Sequence, residues 1–176
     1  MSGGVDSSVA AALLKERGFD PVRNQIPAGS ADLPNVNRIS NGVDVVGVHI
    51  KMWSDPSIPC NFKEDRYDAM RAAEKIGIPF QTWDLTKEYR AAVVEYMIRE
   101  YAAGRTPNPD IMCNRHVKFG VFLKRALDLG ADYIATGHYV RLANSRLFKA
   151  KDKNKDQSYF LWTLGQDQLR RTLFPI

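Results

Sequence analysis

The first residues of the chain are suited to holding phosphate. The segment Ser2–Ser8 reads SGGVDSS and directly precedes a predicted helix. Gly3 and Gly4 let a ligand approach the backbone closely, and the free N–H groups of a helix start attract anions. Asp6 would repel phosphate unless a divalent cation bridged the two. The loop therefore indicates a polyphosphate with Mg²⁺, although a flexible glycine–serine start with an Asp or Ser helix cap would look the same.

A second group of reactive side chains follows two prolines. The segment 106–114 reads TPNPDIMCN, in which Pro107 and Pro109 stiffen the loop around Asp110. Cys113 falls at the predicted start of a helix, where the helix dipole and nearby cations would lower the thiol pKa. A helix reaching back to Asp110 would put carboxylate and thiol on one face. The pattern indicates a reactive cysteine beside an acid–base group, and the alternative is a buried structural cysteine behind a capped turn.

The last part of the chain is basic and aromatic. Residues 141–155 carry six Lys or Arg and one Asp, and Tyr159, Phe160 and Trp162 follow. Cations facing phosphates near stacking aromatic rings suit RNA binding. A solvated basic hairpin followed by a core helix face would give the same composition, so both interpretations stay open.

The remaining histidines and the other cysteine give weaker signals. His49 lies in an apolar stretch and is predicted to be a core or strand-end residue, whereas His138 is predicted to stand behind a ligand site. Cys60 is predicted to be structural. The spacing of His, Cys and carboxylates does not suggest zinc, and we predict no metal site made of protein ligands alone.

These residues require a scaffold of alternating helices and strands. Gly and Pro positions and apolar spacing predict helices at 5–17, 63–76, 86–103 and about 114–129. The same signals predict strands at 43–50, 79–85 and 133–135, a hairpin formed by 140–142 and 147–150, and a loop-like insertion at 20–42. The alternation predicts an α/β fold with a parallel sheet and helices on both faces. Ligands of such folds bind at loops that follow the carboxyl ends of the strands.

Composition limits the class of protein. The chain has 176 residues, a net charge of +5 and two cysteines, which fits a globular domain in a reducing compartment. Its apolar runs fall short of the roughly 20 residues that span a membrane. The first residues lack the basic start of a signal peptide, so we predict a cytoplasmic protein. A mitochondrial matrix location is the alternative, for a protein whose leader preceded Met1.

Five strings in order resemble one family. They are SGGVDSSVAAALL, GVHIKMW, TPNPDIMCNRHVKFG, ATGHYVRL and KDKNKDQSYFLW, and together they cover the chain apart from about 20–42. They are similar to the tRNA-specific 2-thiouridylases, which belong to the adenine-nucleotide α-hydrolase-like superfamily of PP-loop ATP pyrophosphatases. The resemblance implies a Rossmann-like nucleotide-binding and catalytic domain over 1–150. It also implies that 151–176 begins a tRNA-contacting segment that leads to a second domain.

The resemblance also implies a nucleotide site for ATP. The residues that would contact ATP phosphates are Ser2, Gly3, Gly4, Val5, Asp6, Ser7 and Ser8. Ile50, where the family usually has methionine, would contact the adenine, and Gly137 would line the same site. Mg²⁺ is expected with the nucleotide because Asp6 lies in the phosphate loop.

Two triplets and one cysteine would act on the RNA. Asn108, Pro109 and Asp110 would meet the target base, and Cys113 would be the nucleophile. The residues expected to contact tRNA are Lys155, Asp156 and Gln157.

The implied reaction replaces the C2 oxygen of uridine 34 in the anticodon with sulfur. ATP adenylates that oxygen and pyrophosphate leaves, and a persulfide from a sulfur-donor protein then attacks C2 and releases AMP. Asp110 would move a proton near N3 of the base or orient the carbonyl. The base has to leave its stack, which is easiest in a single-stranded loop.

The chain also departs from the family pattern. The family places a strand before the phosphate loop, a second, persulfide-bearing cysteine well downstream, and further tRNA-binding domains, and we expect all three to be missing. One alternative is therefore an inactive ATP- or tRNA-binding remnant. Another is a PP-loop ATP pyrophosphatase acting on a small molecule, which leaves the PNPDxxCN and KDKNKDQ strings unexplained.

Overall fold

The computed structural model describes residues 1–17, 44–55, 57 and 60–176. The predicted insertion at 20–42 and the predicted helix stop at Gly18 lie outside these residues. None of the helices in the described ranges is long and apolar enough to cross a membrane.

The first half of the chain forms a parallel βαβ unit preceded by a helix. Its elements are α1 (Val5–Arg17), β1 (Gly47–Lys51), α2 (Phe62–Ile76) and β2 (Phe80–Asp84). The strands β1 and β2 pair in parallel over five residues, from Gly47 opposite Phe80 to Lys51 opposite Asp84. The backbone of Met1 lies beside β1, since its amino group donates to the carbonyl of Val48.

Small residues let the two helices pack closely together. Ala73 of α2 is fully buried and joins Ala11 of α1 and Ile78 in one apolar cluster. Gly77 ends α2 in a left-handed conformation with φ of 74°, as the sequence predicts. The predicted helix at 63–76 is therefore confirmed, with a start one residue earlier.

Two long helices follow, and both contain π-helical hydrogen bonding. Helix α3 runs through Thr86–Tyr89, Arg90–Val94 and Glu95–Ala102, with the π segment in the middle. Helix α4 runs through Pro109–Met112, Cys113–Phe122 and Leu123–Asp128, and its middle part is also the π segment. Such segments are rare and occur often at functional sites.

The C-terminal part adds short strands and turns. These are β3 (Ile134–Ala135), β4 (Arg141–Ala143), β5 (Arg146–Phe148), a 3₁₀ turn (Ser158–Phe160), α5 (Gln166–Leu169) and β6 (Thr172–Leu173). Strands β4 and β5 form the predicted hairpin, with Asn144 and Ser145 at positive φ in its turn. Strand β6 pairs in parallel with β3. The sequence pattern predicted β3 but did not predict β6.

The parallel pairs and intervening helices confirm the predicted α/β fold. Several boundaries were wrong. The strand predicted at 43–50 begins at Gly47 in the structure, and 44–46 are not part of it. The helix predicted at about 114–129 begins at Pro109, since Asn108 caps it and proline is tolerated in a first turn.

The largest apolar cluster joins residues from distant parts of the sequence. Its buried members are Trp83, Phe119, Leu123, Ala126, Ile134, Val140, Leu142, Leu161, Leu164 and Leu169. The residues after 150 thus pack into the same core as α4 and the hairpin. A functional division at residue 150 stays a prediction.

Candidate functional site

The loop Ser2–Ser8 is shaped by glycine and by its own hydroxyl groups. Gly3 has φ of +84°, and a Cβ on it would lie 2.6 Å from the carbonyl oxygen of Asp65, so glycine is required. The backbone N–H of Ser2 donates to Ser7 Oγ at 3.0 Å, and the Gly4 N–H donates to Ser2 Oγ at 3.3 Å. The hydroxyls bend the loop over the start of α1.

Two of these hydroxyls also hold the first turn of α1. Ser7 Oγ and Ser8 Oγ donate to the carbonyl of Gly4 at 3.2 and 3.1 Å. Val5 is 75% exposed, so its side chain packs little against the fold. The predicted phosphate-loop residues thus form a partly exposed cradle at the start of a 13-residue helix.

Gly137 lies directly against this cradle. A Cβ on Gly137 would lie 2.6 Å from the backbone carbon of Asp6 and 2.8 Å from the backbone nitrogen of Ser7. The segment after β3 therefore touches the start of α1 through a residue that has no side chain. The structure thus brings Gly137 to the Ser2–Ser8 loop, and its contact with a nucleotide stays a prediction.

Two side chains from later segments converge on Asp6. Tyr139 donates from its hydroxyl to Asp6 Oδ1 at 3.3 Å, and Lys155 donates from Nζ to Asp6 Oδ2 at 2.8 Å. The Lys155 ammonium also lies over the Tyr139 ring, 4.0 Å from its centroid. Tyr139 was not among our predicted site residues, although it lies in the ATGHYVRL string.

The other two residues of the predicted tRNA triplet make internal hydrogen bonds. Asp156 Oδ1 accepts from the N–H groups of Ala150 and Ser158 at 3.0 and 3.2 Å, and Oδ2 accepts from Ser158 Oγ at 3.0 Å. Gln157 exchanges two hydrogen bonds with the Tyr139 backbone, each 2.9 Å long. These bonds fix the segment that carries Lys155.

Cys113 lies elsewhere, in an apolar cluster. It is 7% exposed and packs with Leu85, Val93 and Val117, against which the partly buried Ile50 also lies. Burial raises the pKa of the Cys113 thiol; the charge of Lys118 lowers it and that of Asp110 raises it. The prediction of a lowered thiol pKa was wrong, because the helix begins four residues before Cys113 and desolvation outweighs the nearby cations.

The predicted target-base triplet forms the start of α4. Asn108 Oδ1 caps the helix by accepting the Ile111 N–H at 3.2 Å, and Pro109 occupies the first turn. Asp110 is exposed and three residues before Cys113, so both lie on one side of the helix, as expected. Tyr89 faces this region, and burial raises its pKa, with smaller contributions from Cys113 and Asp110.

Asn114, the residue after Cys113, links this helix to the C-terminal segment. It is 3% exposed and donates from Nδ2 to the carbonyl of Phe160 at 3.3 Å. Its Oδ1 has no hydrogen-bond partner among the described residues. The connection joins the segment that carries Lys155 to the helix that carries the thiol.

Two histidines are held by hydrogen bonds, whereas Cys60 is at the surface. His49 is 4% exposed, as predicted for a core residue, and its Nδ1 donates to the Met1 carbonyl at 3.0 Å. His138 shares a 2.8 Å hydrogen bond with Thr136 Oγ1, and burial lowers its pKa to about 4. Cys60 is exposed and precedes α2 by two residues, and its structural role stays a prediction.

The basic, aromatic tail combines both of its interpretations. The hairpin is present, and Leu161 and Leu164 are in the core. Tyr159 and Trp162 are 60% and 71% exposed, however, so their rings lie at the surface. Tyr159 is also 4.0 Å from the ring of Phe160, centroid to centroid.

The residues at the cradle fit a nucleotide that carries Mg²⁺. The loop contains backbone N–H groups and serine hydroxyls, Lys155 reaches it from another segment, and Asp6 supplies a single carboxylate. The described residues contain no cluster of three or more His, Cys, Asp or Glu that could hold a metal alone. A cation at Asp6 would therefore complete its coordination with phosphate oxygens and water, as Mg²⁺ commonly does.

Comparison with known proteins gives one family and close relatives. A family model described as the tRNA methyl transferase HUP domain matches residues 34–176. The tRNA-specific 2-thiouridylase MnmA of Christiangramia forsetii is 47% identical over 188 residues, which cover all of this chain and 42% of that protein. The proteins of the same name from Flavobacterium johnsoniae and Bacillus velezensis are 46% and 45% identical, again over the whole chain and 42% and 43% of their own lengths. The chain thus spans less than half the length of these curated relatives.

Proposed function

The chain belongs to the tRNA methyl transferase HUP domain family, and from that premise we propose that it provides the ATP-binding domain of a tRNA-uridine 2-sulfurtransferase. The reaction would replace the C2 oxygen of uridine 34 in the anticodon with sulfur. The similarity of the whole chain to tRNA-specific 2-thiouridylases supports this choice of substrate. The proposed setting is the cytoplasm.

The observation that carries the proposal is the convergence of three segments on Asp6. Three segments that are far apart in sequence meet there: the loop Ser2–Ser8, the segment of Gly137 and Tyr139, and the segment of Lys155. The Tyr139 hydroxyl and the Lys155 ammonium both bond the Asp6 carboxylate at the start of α1, and this arrangement suits the phosphates of ATP with a divalent ion. ATP would convert the C2 oxygen of uracil into a leaving group, which the carbonyl lacks.

The Cys113 region would carry the sulfur chemistry. Asp110 is exposed at the first turn of α4 and could hold a proton or orient the base, and Cys113 lies one turn further into the fold. A sulfur-donor protein would supply a persulfide, whose outer sulfur attacks C2 as AMP leaves. The Cys113 thiol would then attack the inner sulfur, which breaks the S–S bond, releases 2-thiouridine and leaves a disulfide between Cys113 and the donor cysteine. The thiol would have to become accessible first, since it is 7% exposed.

The exposed rings and the hairpin would face the tRNA. Tyr159 and Trp162 lie just after the basic stretch 141–155. Stacking on aromatic rings and contacts between cations and phosphates are the usual means of binding single-stranded RNA. We propose that these residues receive the anticodon stem-loop together with the segment 155–157, in which the Lys155 side chain itself is directed to Asp6.

Expression of the chain in a host that lacks tRNA 2-thiolation tests the proposal. Mass spectrometry of the host tRNA is expected to detect 2-thiouridine with the unchanged chain and none with Asp6→Ala or Cys113→Ser. ATP–pyrophosphate exchange by the purified chain is expected to be lost in Asp6→Ala alone. Exchange that is equal in Asp6→Ala and the unchanged chain would contradict the assignment of the phosphate loop.

One observation favours a second candidate, which is nucleotide and tRNA binding without sulfur transfer. Cys113 is buried and its pKa is raised, which opposes thiolate formation. A folded chain that binds ATP and tRNA but leaves the host tRNA without 2-thiouridine would support this candidate over the first.

A further inference from the structure

Lys155 contacts the phosphate loop although 149 positions separate it from Asp6. Its ammonium is 2.8 Å from Asp6 Oδ2 and stands over the ring of Tyr139, whose hydroxyl bonds the other Asp6 oxygen. The hydrogen bond to Asp6 raises the pKa of Lys155, so its side chain is charged at neutral pH. A family resemblance alone places this lysine against tRNA, whereas the structure places it against the nucleotide cradle.

The position of Lys155 is fixed by its neighbours and not by the ion pair alone. Gln157 exchanges two 2.9 Å hydrogen bonds with the Tyr139 backbone, and Asp156 ties the turn to Ala150 and Ser158. Gly137, two residues before Tyr139, lies against the backbone of Asp6. The lysine is therefore anchored to the segment that itself contacts the loop.

The loop has no positively charged side chain of its own to bind a polyphosphate. The segment Ser2–Ser8 contains no Lys or Arg, so its own donors to a polyphosphate are neutral N–H and hydroxyl groups. Its single charged residue, Asp6, repels phosphate. A triphosphate bound there needs a metal to bridge to Asp6 and gains from a cation contributed by another segment.

The Asp6–Lys155 pair has the two charges that a metal–triphosphate complex would need. The two side chains are 40% and 43% exposed, so a ligand can reach both. Ion pairs this exposed are weak, because water competes for both partners, and opening one costs little. The Mg²⁺ of the complex would replace the ammonium at Asp6, and the phosphate oxygens would replace the carboxylate at Lys155.

We propose that Lys155 is a phosphate-binding residue of the nucleotide site, paired with Asp6 until a metal–nucleoside triphosphate separates the two. This inference rests on the proposed function, because it uses the same loop. It adds a specific role, which is that Lys155 distinguishes nucleotides with β and γ phosphates from those without them.

Equilibrium binding of ATP and AMP in the presence of Mg²⁺ tests the inference on the 176-residue chain. Lys155→Ala is expected to lower the affinity for ATP roughly tenfold to a hundredfold, the range for losing one charge-assisted hydrogen bond. Its affinity for AMP is expected to change less than about threefold, and Lys155→Arg is expected to restore most of the ATP affinity. Lys153→Ala removes the same charge from a more exposed position two residues earlier, serves as the matched control and should leave both affinities unchanged.

Binding of an anticodon stem-loop by the same variants separates the two sources of phosphate. We expect Lys155→Ala to bind this RNA within about threefold of the unchanged chain, since the Lys155 ammonium lies at Asp6 and would contact the nucleotide and not the RNA phosphates. A variant that loses RNA affinity but keeps ATP affinity would overturn the inference in favour of a tRNA contact. Equal losses for ATP and AMP, or ATP affinity within twofold of the unchanged chain, would also overturn it. If the unchanged chain bound ATP with no measurable affinity, the proposed function itself would fail.

Discussion

At the residue scale, the thiols of Cys60 and Cys113 differ in their exposure to solvent. Cys60 is exposed, whereas Cys113 is buried among Leu85, Val93 and Val117. Sequence position favoured Cys113 as the reactive thiol, because cations and a helix start lie near it. Burial raises its pKa all the same, because the thiolate loses more from desolvation than it gains from those cations.

We therefore expect the two cysteines to react at different rates with a thiol reagent in the folded chain. Cys60 should react at least about tenfold faster than Cys113, because the reagent needs an accessible thiolate. Absorbance of the released chromophore measures both rates. Cys60→Ser should remove the fast phase and Cys113→Ser the slow one, and in denaturant both thiols should react together. A fast phase that survives in Cys60→Ser would contradict the burial of Cys113.

His138 gives a pH-dependent stability. Burial lowers its pKa to about 4, below its ordinary value, so unfolding takes up a proton between pH 6.5 and about 4. The free energy of unfolding should fall as the pH drops through this window, by up to about 1.4 kcal/mol per pH unit. Urea denaturation across the window measures the slope. His138→Gln should reduce it, leaving the part contributed by other buried groups such as His49; an unchanged slope would rule out His138 as its main source.

At the element scale, the site depends on close contact between segments. Gly137 allows the segment after β3 to lie against the backbone of Asp6, and Gln157 pairs with Tyr139 to bring the Lys155 segment to the same place. Asn108 caps α4 and so directs Asp110 toward solvent at its first turn. The first two contacts join motifs far apart in the chain, whereas the Asn108 cap is local, because its partner Ile111 is three residues away.

Gly137→Ala tests this contact. The new methyl group would lie 2.6 Å from the Asp6 backbone, which cannot move without shifting the phosphate loop. We expect a loss of about 1–3 kcal/mol in the free energy of unfolding together with weaker ATP binding. Denaturation and ATP titration measure the two effects.

Gly165→Ala is the matched control for this substitution. Like Gly137, Gly165 does not have a positive φ. The atom nearest to a Cβ added on Gly165 would be Gln168 Oε1, at 3.9 Å. It should bind ATP as the unchanged chain does. Normal ATP affinity in Gly137→Ala would show that the loop does not depend on this close approach.

At the scale of the whole molecule, one core connects the C-terminal residues to the α/β unit. Leu161, Leu164 and Leu169 pack with Trp83, Phe119 and their neighbours, and β6 pairs with β3. The residues that position Lys155 are thus continuous with a fully packed region. Stability and the geometry of the nucleotide site should therefore change together when this core is disturbed.

Leu161→Ala and Trp162→Ala are neighbouring substitutions with opposite expectations. Leu161 is fully buried, and its truncation should cost about 2–5 kcal/mol of unfolding free energy. Trp162 is 71% exposed, and its truncation should cost less than about 0.5 kcal/mol while weakening RNA binding if the ring stacks on a base. Thermal or urea unfolding compares them, and similar costs for both would contradict the described core.

The sequence by itself determined the α/β class, the helices α1 and α2, the hairpin and the positions of the glycine-rich loop and the PNPD segment. Those features depend on local chemistry, namely apolar spacing, glycine and proline positions, and turn residues, which can be read along one stretch of chain. The sequence did not determine the strand β6 or the start of α4, because a two-residue strand has no pattern and a proline can either end a helix or begin one.

Only the tertiary structure decided which motifs meet. It brought Lys155 and Tyr139 to Asp6, placed Cys113 in an apolar cluster and exposed Cys60. The physical reason is that burial and ion pairing depend on distances between residues far apart in sequence. A charge or a thiol can be assigned to a motif from the sequence, but its pKa and its partner follow from the environment that the rest of the fold builds around it.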